Sequence, residues 1–198
     1  MVVRTIGLAV CLALSVQQAS ARGFCNVDHY GEEEKDKEAR DTVAEAAANF
    51  YLGAGRVMHM LASFEKNEME ELQASVKTAE AYFRESASFY KKAADQFEDH
   101  ELKDLDPKIV WSMSARPDFA GWQAVVAEAD QGGPSTLLAG CGDKANDLAE
   151  ASVRFASEVS ESPRTESFSR LLRSLSAAFD YGRVVSAVFA AAGGERPQ

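Results

Sequence analysis

Residues 69–97 read MEELQASVKTAEAYFRESASFYKKAADQF, and the spacing of their apolar and small side chains decides the fold class. These side chains recur alternately three and four residues apart over the whole stretch, at Met69, Leu72, Val76, Ala79, Phe83, Ser86, Tyr90, Ala93 and Phe97. This spacing places them on one narrow face of an α-helix, which a helix buries against partner helices. The stretch therefore predicts one long helix of a helical bundle.

The preceding stretch shows the same spacing, at Val43, Ala47, Phe50, Ala54, Val57, Leu61 and Phe64. No proline occurs between residues 32 and 106, and a proline inside a helix costs about 3 kcal/mol. We therefore predict helices from about Glu32 to Lys66 and from about Glu68 to Asp99. Because the turn between them near Asn67 is short, the two helices should form an antiparallel hairpin.

Two further helices are predicted in the C-terminal part of the chain. The third begins with Asp143 as its cap and ends near Ser162, and its inward positions are Ala145, Leu148, Ser152, Phe155 and Val159. The fourth is capped by Thr165 and ends at Gly193, and its inward positions are Phe168, Leu172, Leu175, Phe179, Gly182, Ser186 and Phe189. The prediction is an all-α, antiparallel four-helix bundle with a long crossover (101–142) that carries a short extra helix from Asp118 to Asp130.

A helical repeat is the competing architecture. Aromatic residues recur about one helix hairpin apart, at Phe50, Phe83, Phe119, Phe155 and Phe189, and residues 81–94 resemble tetratricopeptide repeats in their tyrosine and alanine content. Those repeats use helices of about half this length with breaks between them. The spacing in residues 69–97 continues through the place where a break should fall, so it favours the bundle.

The N-terminus has the layout of a secretory signal peptide. Arg4 precedes an apolar run over residues 6–16, and Ala19, Ser20 and Ala21 form a small-residue cleavage site. The run is too short to cross a bilayer, which needs roughly 20 residues. We predict that residues 1–21 are removed and that residues 22–198 form a single helical-bundle domain without a membrane span.

Removal of Arg4 leaves 21 − 1 = 20 basic and 31 acidic residues, a net charge of −11. A chain this acidic repels phosphate backbones, so nucleic acid is disfavoured as a partner. Anionic membrane surfaces are disfavoured for the same reason.

The processed chain keeps two cysteines, Cys25 and Cys141. Each precedes a predicted long helix, and the first and third helices of an antiparallel bundle begin at the same end. An even cysteine count in an oxidising compartment therefore predicts a Cys25–Cys141 disulfide. One disulfide is a sparse framework for a small extracellular protein, so the periplasm is favoured over the extracellular space.

The sequence lacks the motifs of common catalytic and cofactor sites. A haem attachment site, paired Glu-x-x-His motifs, a zincin motif, a P-loop and a nucleophile elbow are all missing. Met58, His59 and Met60 offer soft ligands that suit Cu(I), but adjacent helical residues point about 100° apart. We assign no catalytic residue, metal ligand or cofactor and expect a protein that is not an enzyme.

The inward positions become small near the middle of each predicted helix, at Ala54, Ser86, Ser152 and Gly182. Aromatic residues flank them, at Phe50, Phe83, Phe155 and Phe179. If the helices keep their distance there, they leave a ring-lined cavity of the kind that holds apolar ligands. If they approach each other, large and small side chains alternate in a solid core.

Two tryptophans, Trp111 and Trp122, lie in the crossover, where they could cover an open bundle end or form a surface patch. We predict a non-enzymatic, exported binding protein that holds a lipid-like, apolar small molecule between its helices. The predicted ligand-binding residues are Phe50, Ala54, Phe83, Ser86, Ser152, Phe155, Phe179, Gly182, Trp111 and Trp122. The alternative is a protein-interaction scaffold in a cell-envelope assembly, which would expose an apolar patch instead.

Overall fold

The computed structural model describes residues 23–28, 30–31, 34–102, 105–113, 121–161 and 165–193, and the predicted signal peptide lies outside them. The described residues form an all-α bundle, as predicted, and include no strand. Its five helices are α1 (Lys37–Lys66), α2 (Met69–Gln96), α3 (Pro107–Met113), α4 (Trp122–Glu161) and α5 (Thr165–Ala192). None of these helices is long and apolar enough to cross a membrane.

Helices α1 and α2 form the predicted antiparallel hairpin. Asn67 ends α1 in the left-handed conformation (φ 62°), and its N–H donates to the Phe64 carbonyl. Farther along the pair, the Ser86 hydroxyl of α2 donates to the Ala46 carbonyl of α1 (2.8 Å). Their lengths of 30 and 28 residues exceed those of tetratricopeptide helices, so the structure favours the bundle over the repeat.

The predicted start of the third long helix at Asp143 is wrong. Gly133 adopts φ 64° and ψ −162°, which kinks α4, and the chain is helical again from Pro134 to Glu161. Proline suits a first helical turn because its missing N–H would have no partner there. The predicted short helix from Asp118 to Asp130 is thus the first part of α4 where the structure describes it, from Trp122 onward, and Asp118 lies outside the described residues. Residues 134–142, predicted to belong to the crossover, are helix as well.

Two glycines in this part of α4 are packing positions. A Cβ on Gly142 would lie 3.2 Å from the Ala87 carbonyl oxygen of α2, and one on Gly140 would collide with the Tyr181 hydroxyl of α5. Helix α4 therefore needs glycine where it passes closest to its two neighbours. Glycine often marks a turn, but Gly140 and Gly142 lie inside a helix and allow its neighbours to come close.

The predicted disulfide is confirmed. The Sγ atoms of Cys25 and Cys141 are bonded at 2.08 Å, their Cα atoms are 6.4 Å apart, and both residues are fully buried. Cys141 lies within α4 and not ahead of it. The bond therefore ties the non-helical N-terminal segment to the interior of a long helix.

The helices pack as an open series. Helix α2 packs against α1 and α4, α4 packs against α5, and α3 covers α5 and part of α4. Helices α1 and α5 touch mainly through side chains, such as Phe50 and Phe179, whose ring centroids are 5.3 Å apart. Residues Gly23–Asp28, which we call the strap, fill the remaining gap between α1 and α5.

Residues 184–189 of α5 are buried on every side of the helix. Six consecutive residues, from Val184 to Phe189, are each at most 5% exposed. Helix α3 packs against α5, and Tyr30 contacts Phe189 with ring centroids 5.2 Å apart. The apolar run at the end of α5 is therefore an encircled core segment, because a helix that is apolar all round must be covered all round.

This burial predicts different responses to the same substitution at two valines. Val185→Ala should lower the free energy of unfolding by roughly 1–3 kcal/mol, because it removes two buried methyl groups and leaves a cavity. Val153→Ala, at a position that is 41% exposed, should change it by less than about 0.5 kcal/mol. Urea denaturation measures both, and equal effects would contradict the encircled position of α5.

Candidate functional site

The strap is held to the bundle by its backbone as well as by the disulfide. The Cys25 N–H donates to the Gly182 carbonyl of α5 (3.2 Å), and the Asn26 N–H donates to the Ser186 hydroxyl (2.8 Å). The Tyr90 hydroxyl of α2 donates to the Phe24 carbonyl (2.7 Å). The strap, which turns at Phe24 and Cys25, is thus held in the groove between α1 and α5 by hydrogen bonds to two helices.

The Phe24 side chain fills the widest part of this groove. Its ring stacks on Phe50, with centroids 3.5 Å apart and planes 5° apart, and lies edge-on to Tyr90 and Phe179. A Cβ added to Gly182 would overlap the Phe24 ring. The space beside Gly182 of α5 is therefore occupied by Phe24, a side chain of the protein itself.

The predicted ligand-binding residues do not share one height in the bundle. Ser86 lies beside Ala46, which is two helical turns, or roughly 12 Å, from Ala54 along α1. Phe50, Phe179 and Gly182 adjoin Phe24, and Phe83 contacts Phe50. Ala54 is buried one turn farther along α1. The predicted single level of small residues is wrong for this reason.

Ser152 and Phe155 lie at another height. The Phe155 ring is 5.7 Å from that of Phe64 at the end of α1, and Phe64 in turn neighbours Phe168 of α5. The Ser152 hydroxyl donates to the Leu148 carbonyl of its own helix. Since Ser86 also donates to a backbone carbonyl, both hydroxyls assigned to a cavity already have acceptors.

Trp111 and Trp122 form a pair on the crossover, far along the chain from the other predicted residues. Their ring centroids are 4.9 Å apart at an angle of 56°, and both side chains are partly buried. Trp111 lies within the short α3, and Trp122 begins α4. The structure thus brings these two predicted residues together but places them in a site of their own.

Sequence reasoning missed Phe24, the residue that fills the groove. It lies outside every periodic segment, so no helical spacing indicates its burial. The one usable signal was its position beside Cys25, because the predicted disulfide already attached that residue to the bundle. Nothing in the sequence indicated which gap between helices it would enter.

Two tyrosine hydroxyls lie close to the strap in different surroundings. Tyr90 is fully buried, which raises its pKa well above the usual value, and it donates to Phe24. Burial raises the pKa of Tyr51 to about 12, against the opposing charge of Arg183 and the nearby Phe24 backbone. Despite that proximity, the buried Tyr51 hydroxyl has no hydrogen bond of regular geometry.

A polar cluster fixes the chain just after the strap. His100 Nε2 lies 3.1 Å from the buried Asp36 carboxylate, and the Tyr30 hydroxyl donates to the Glu101 carbonyl. Burial, followed by the charges of Asp36 and Glu101, raises the pKa of Tyr30 to about 12. These contacts join the residues just before α1 to the residues just after α2. They therefore hold the part of the N-terminal segment that follows the strap.

A shallow cleft between α4 and α5 is a weaker candidate for a ligand site. Arg154, Glu158, Ser167 and Arg170 line it together with Phe155. Arg170 pairs with Glu158 (2.8 Å) and lies 3.6 Å from Glu166. The hydrogen bond from Ser167, followed by the charges of Arg170 and Arg154, lowers the pKa of Glu158. The charges of the cleft are therefore balanced among themselves.

Within the described ranges, no group of three or more His, Cys, Asp or Glu side chains is placed to hold a metal ion. His59 is exposed on α1 while Met60 is fully buried, so these neighbours face different surroundings. No protein-family model, curated protein or solved structure matches this chain.

The non-covalent energy of the strap is close to zero. Ordering its six residues costs about 6–12 kcal/mol. Burial of Phe24 and Val27 contributes about 3–6 kcal/mol, and its hydrogen bonds contribute about 2–5 kcal/mol. Cys25 adopts the left-handed conformation (φ 52°), which is unfavourable for a residue other than glycine. The strap therefore depends on its disulfide to stay in place.

The overlap at Gly182 predicts opposite effects of alanine at two glycines of the bundle. Gly182→Ala should destabilise the protein by roughly 1–3 kcal/mol, because its methyl group displaces the Phe24 ring. Gly55→Ala should stabilise it by about 0.5–1 kcal/mol, because this helical position is open and alanine favours helix. Urea denaturation measures both, and a neutral Gly182→Ala would show that Phe24 does not occupy the groove.

The raised pKa of Tyr51 predicts a loss of stability at alkaline pH. Between pH 10 and 12 the unfolded chain loses the Tyr51 proton while the folded chain keeps it, so stability falls as pH rises. In the Tyr51→Phe variant, the free energy of unfolding should fall by about 1–2 kcal/mol less over this pH range, a figure that allows for partial solvent screening. Denaturant unfolding at pH 9 and pH 12 measures it, and equal falls in both proteins would refute the assignment.

Proposed function

We propose that this protein is a non-enzymatic, exported binding protein that docks a partner protein of the cell envelope through Trp111 and Trp122. The observation that carries the proposal is the pairing of two partly exposed indole rings on the crossover. Tryptophan is enriched among the residues that dominate binding energy at protein interfaces. The scaffold that presents the two rings is the helical bundle and not a helical repeat.

The charge around the pair favours a particular partner. The crossover from residue 101 to residue 142 contains six acidic and three basic residues, a net charge of −3, and the whole chain is acidic as well. We therefore expect a partner surface with an apolar recess for the rings and basic residues around it. Complementary charge of this kind speeds association and selects against acidic partners.

Export is supported by two features of the chain. Residues 1–21 have the layout of a cleavable signal peptide, and the Cys25–Cys141 disulfide suits an oxidising compartment such as the periplasm. Action by binding rather than catalysis is proposed because the most distinctive side chains of the crossover are aromatic. No cofactor enters the proposal.

Binding of an apolar small molecule is the second candidate. One observation favours it: the groove between α1 and α5 is lined by Phe50 and Phe179 and accepts an aromatic ring from a non-helical segment. A lipid-like ligand would have to take the place of Phe24. The partner protein is preferred because it requires no such displacement.

Site-specific photocrosslinking tests the docking proposal. A photoreactive residue at Lys108 or Gln123, both exposed near the tryptophans, should give one saturable adduct with an envelope protein. Excess wild-type protein should abolish the adduct. The Trp111→Ala/Trp122→Ala variant should compete at least about 30-fold less well, because interface tryptophans often contribute about 2 kcal/mol each.

A photoreactive residue at Glu85, exposed on α2, is the matched control and should give no such adduct. Equal competition by the variant and the wild-type protein would refute docking through the tryptophans. Native mass spectrometry of the purified protein distinguishes the second candidate, because a bound lipid would appear as an added mass.

A further inference from the structure

We propose that the strap is a latch that closes by oxidation after export: the disulfide-bonded protein holds Phe24 in the groove, and the dithiol form leaves an apolar, ring-lined groove open. The inference is independent of the partner that Trp111 and Trp122 bind. It rests on the geometry of the strap, the position of its disulfide and the chemistry of the groove beneath it.

The strap is a separable part of the structure. It contributes no helical turn, and its polar contacts with α5 are three hydrogen bonds: from the Cys25 N–H to the Gly182 carbonyl, from the Asn26 N–H to the Ser186 hydroxyl, and from that hydroxyl to the Gly23 carbonyl. Phe24 packs against α5 as well. Helices α1, α2, α4 and α5 are connected through their own interfaces, α1 with α2, α2 with α4 and α4 with α5. The helices therefore keep most of their mutual contacts when the strap leaves.

The disulfide decides whether the strap stays. Its non-covalent gains and ordering costs are of similar size, so we expect the dithiol chain to populate an open form as well as the closed form. The Cys25–Cys141 bond attaches the strap covalently to α4, so the strap of the oxidised chain cannot leave the groove while the bond is intact. Oxidation thereby converts a mixture of open and closed forms into the closed form.

Closure needs an oxidant, which is a disulfide of the thiol–disulfide oxidoreductase class. The Cys25 thiolate attacks one sulfur of that disulfide and releases its partner as a thiolate. The Cys141 thiolate then attacks Cys25 Sγ and releases the second thiolate. The chain loses two electrons and two protons, and the oxidant becomes a dithiol.

Burial then seals the latch. Both Cys25 and Cys141 are 0% exposed in the closed protein, so a thiolate has no path to either sulfur. In the open form the groove exposes the rings of Phe50 and Phe179 beside the backbone of Gly182. An apolar ring is the kind of group that this groove accepts, because Phe24 is what it holds when closed.

Hydrogen exchange measured by mass spectrometry tests the latch on the full chain. The oxidised protein is compared with the Cys25→Ala/Cys141→Ala variant and with reduced wild-type protein, which carries no substitution. In both proteins that lack the disulfide, the strap amides should exchange at least about 100-fold faster than in the oxidised protein. The amides of α2 should keep their protection. Nile red, an apolar dye, should bind to these two proteins and not to the oxidised form.

Two results would overturn the proposal. Equal protection of the strap in the oxidised and reduced proteins would show that the disulfide does not control closure. Loss of protection in α2 to the same extent as in the strap would show that the bond holds the whole bundle rather than a latch.

Discussion

The contact between the Phe24 ring and the groove between α1 and α5 is the interaction that fixes the strap on the bundle and fills the gap between these two helices. The other helix pairs meet directly, but these two are joined through a ring that stacks on Phe50 and lies over Gly182. A side chain at Gly182 would leave no room for the ring. The bundle is thus a series of helices that a short, disulfide-bonded peptide completes.

The helices themselves follow from the spacing of apolar residues. The predicted inward positions of α2 from Leu72 to Phe97 are all buried, because alternating spacings of three and four residues keep one face toward the core. The spacing was less informative in α4, where residues 134–142 were predicted to belong to the crossover and not to a long helix. Gly140 and Gly142 lie in this part of α4. Their role is to admit Tyr181 and the α2 backbone, and a close approach of this kind depends on neighbours that are distant in sequence.

The predicted site could be foreseen only in part. Trp111 and Trp122, both predicted to lie in the crossover, pair with each other, and Phe50 and Phe179 lie against the Phe24 ring. That these residues bind a ligand stays a prediction. The small inward residues were predicted to lie at one height in the bundle, and they do not. The spacing within each helix does not determine how far one helix is shifted along its neighbour. The occupant of the groove was missed because Phe24 belongs to a non-periodic segment, whose path is set by the Cys25–Cys141 bond and by hydrogen bonds to α5 and Tyr90.

The most direct measurement is proton–proton NOE spectroscopy on the oxidised protein labelled at phenylalanine and glycine. The Phe24 ring should show contacts to the Gly182 Hα protons and to the Phe50 ring, because it stacks on one and covers the other. A Phe24 ring with solvent-like relaxation and no such contacts would contradict the account, as would direct packing of the α1 and α5 backbones at Gly182.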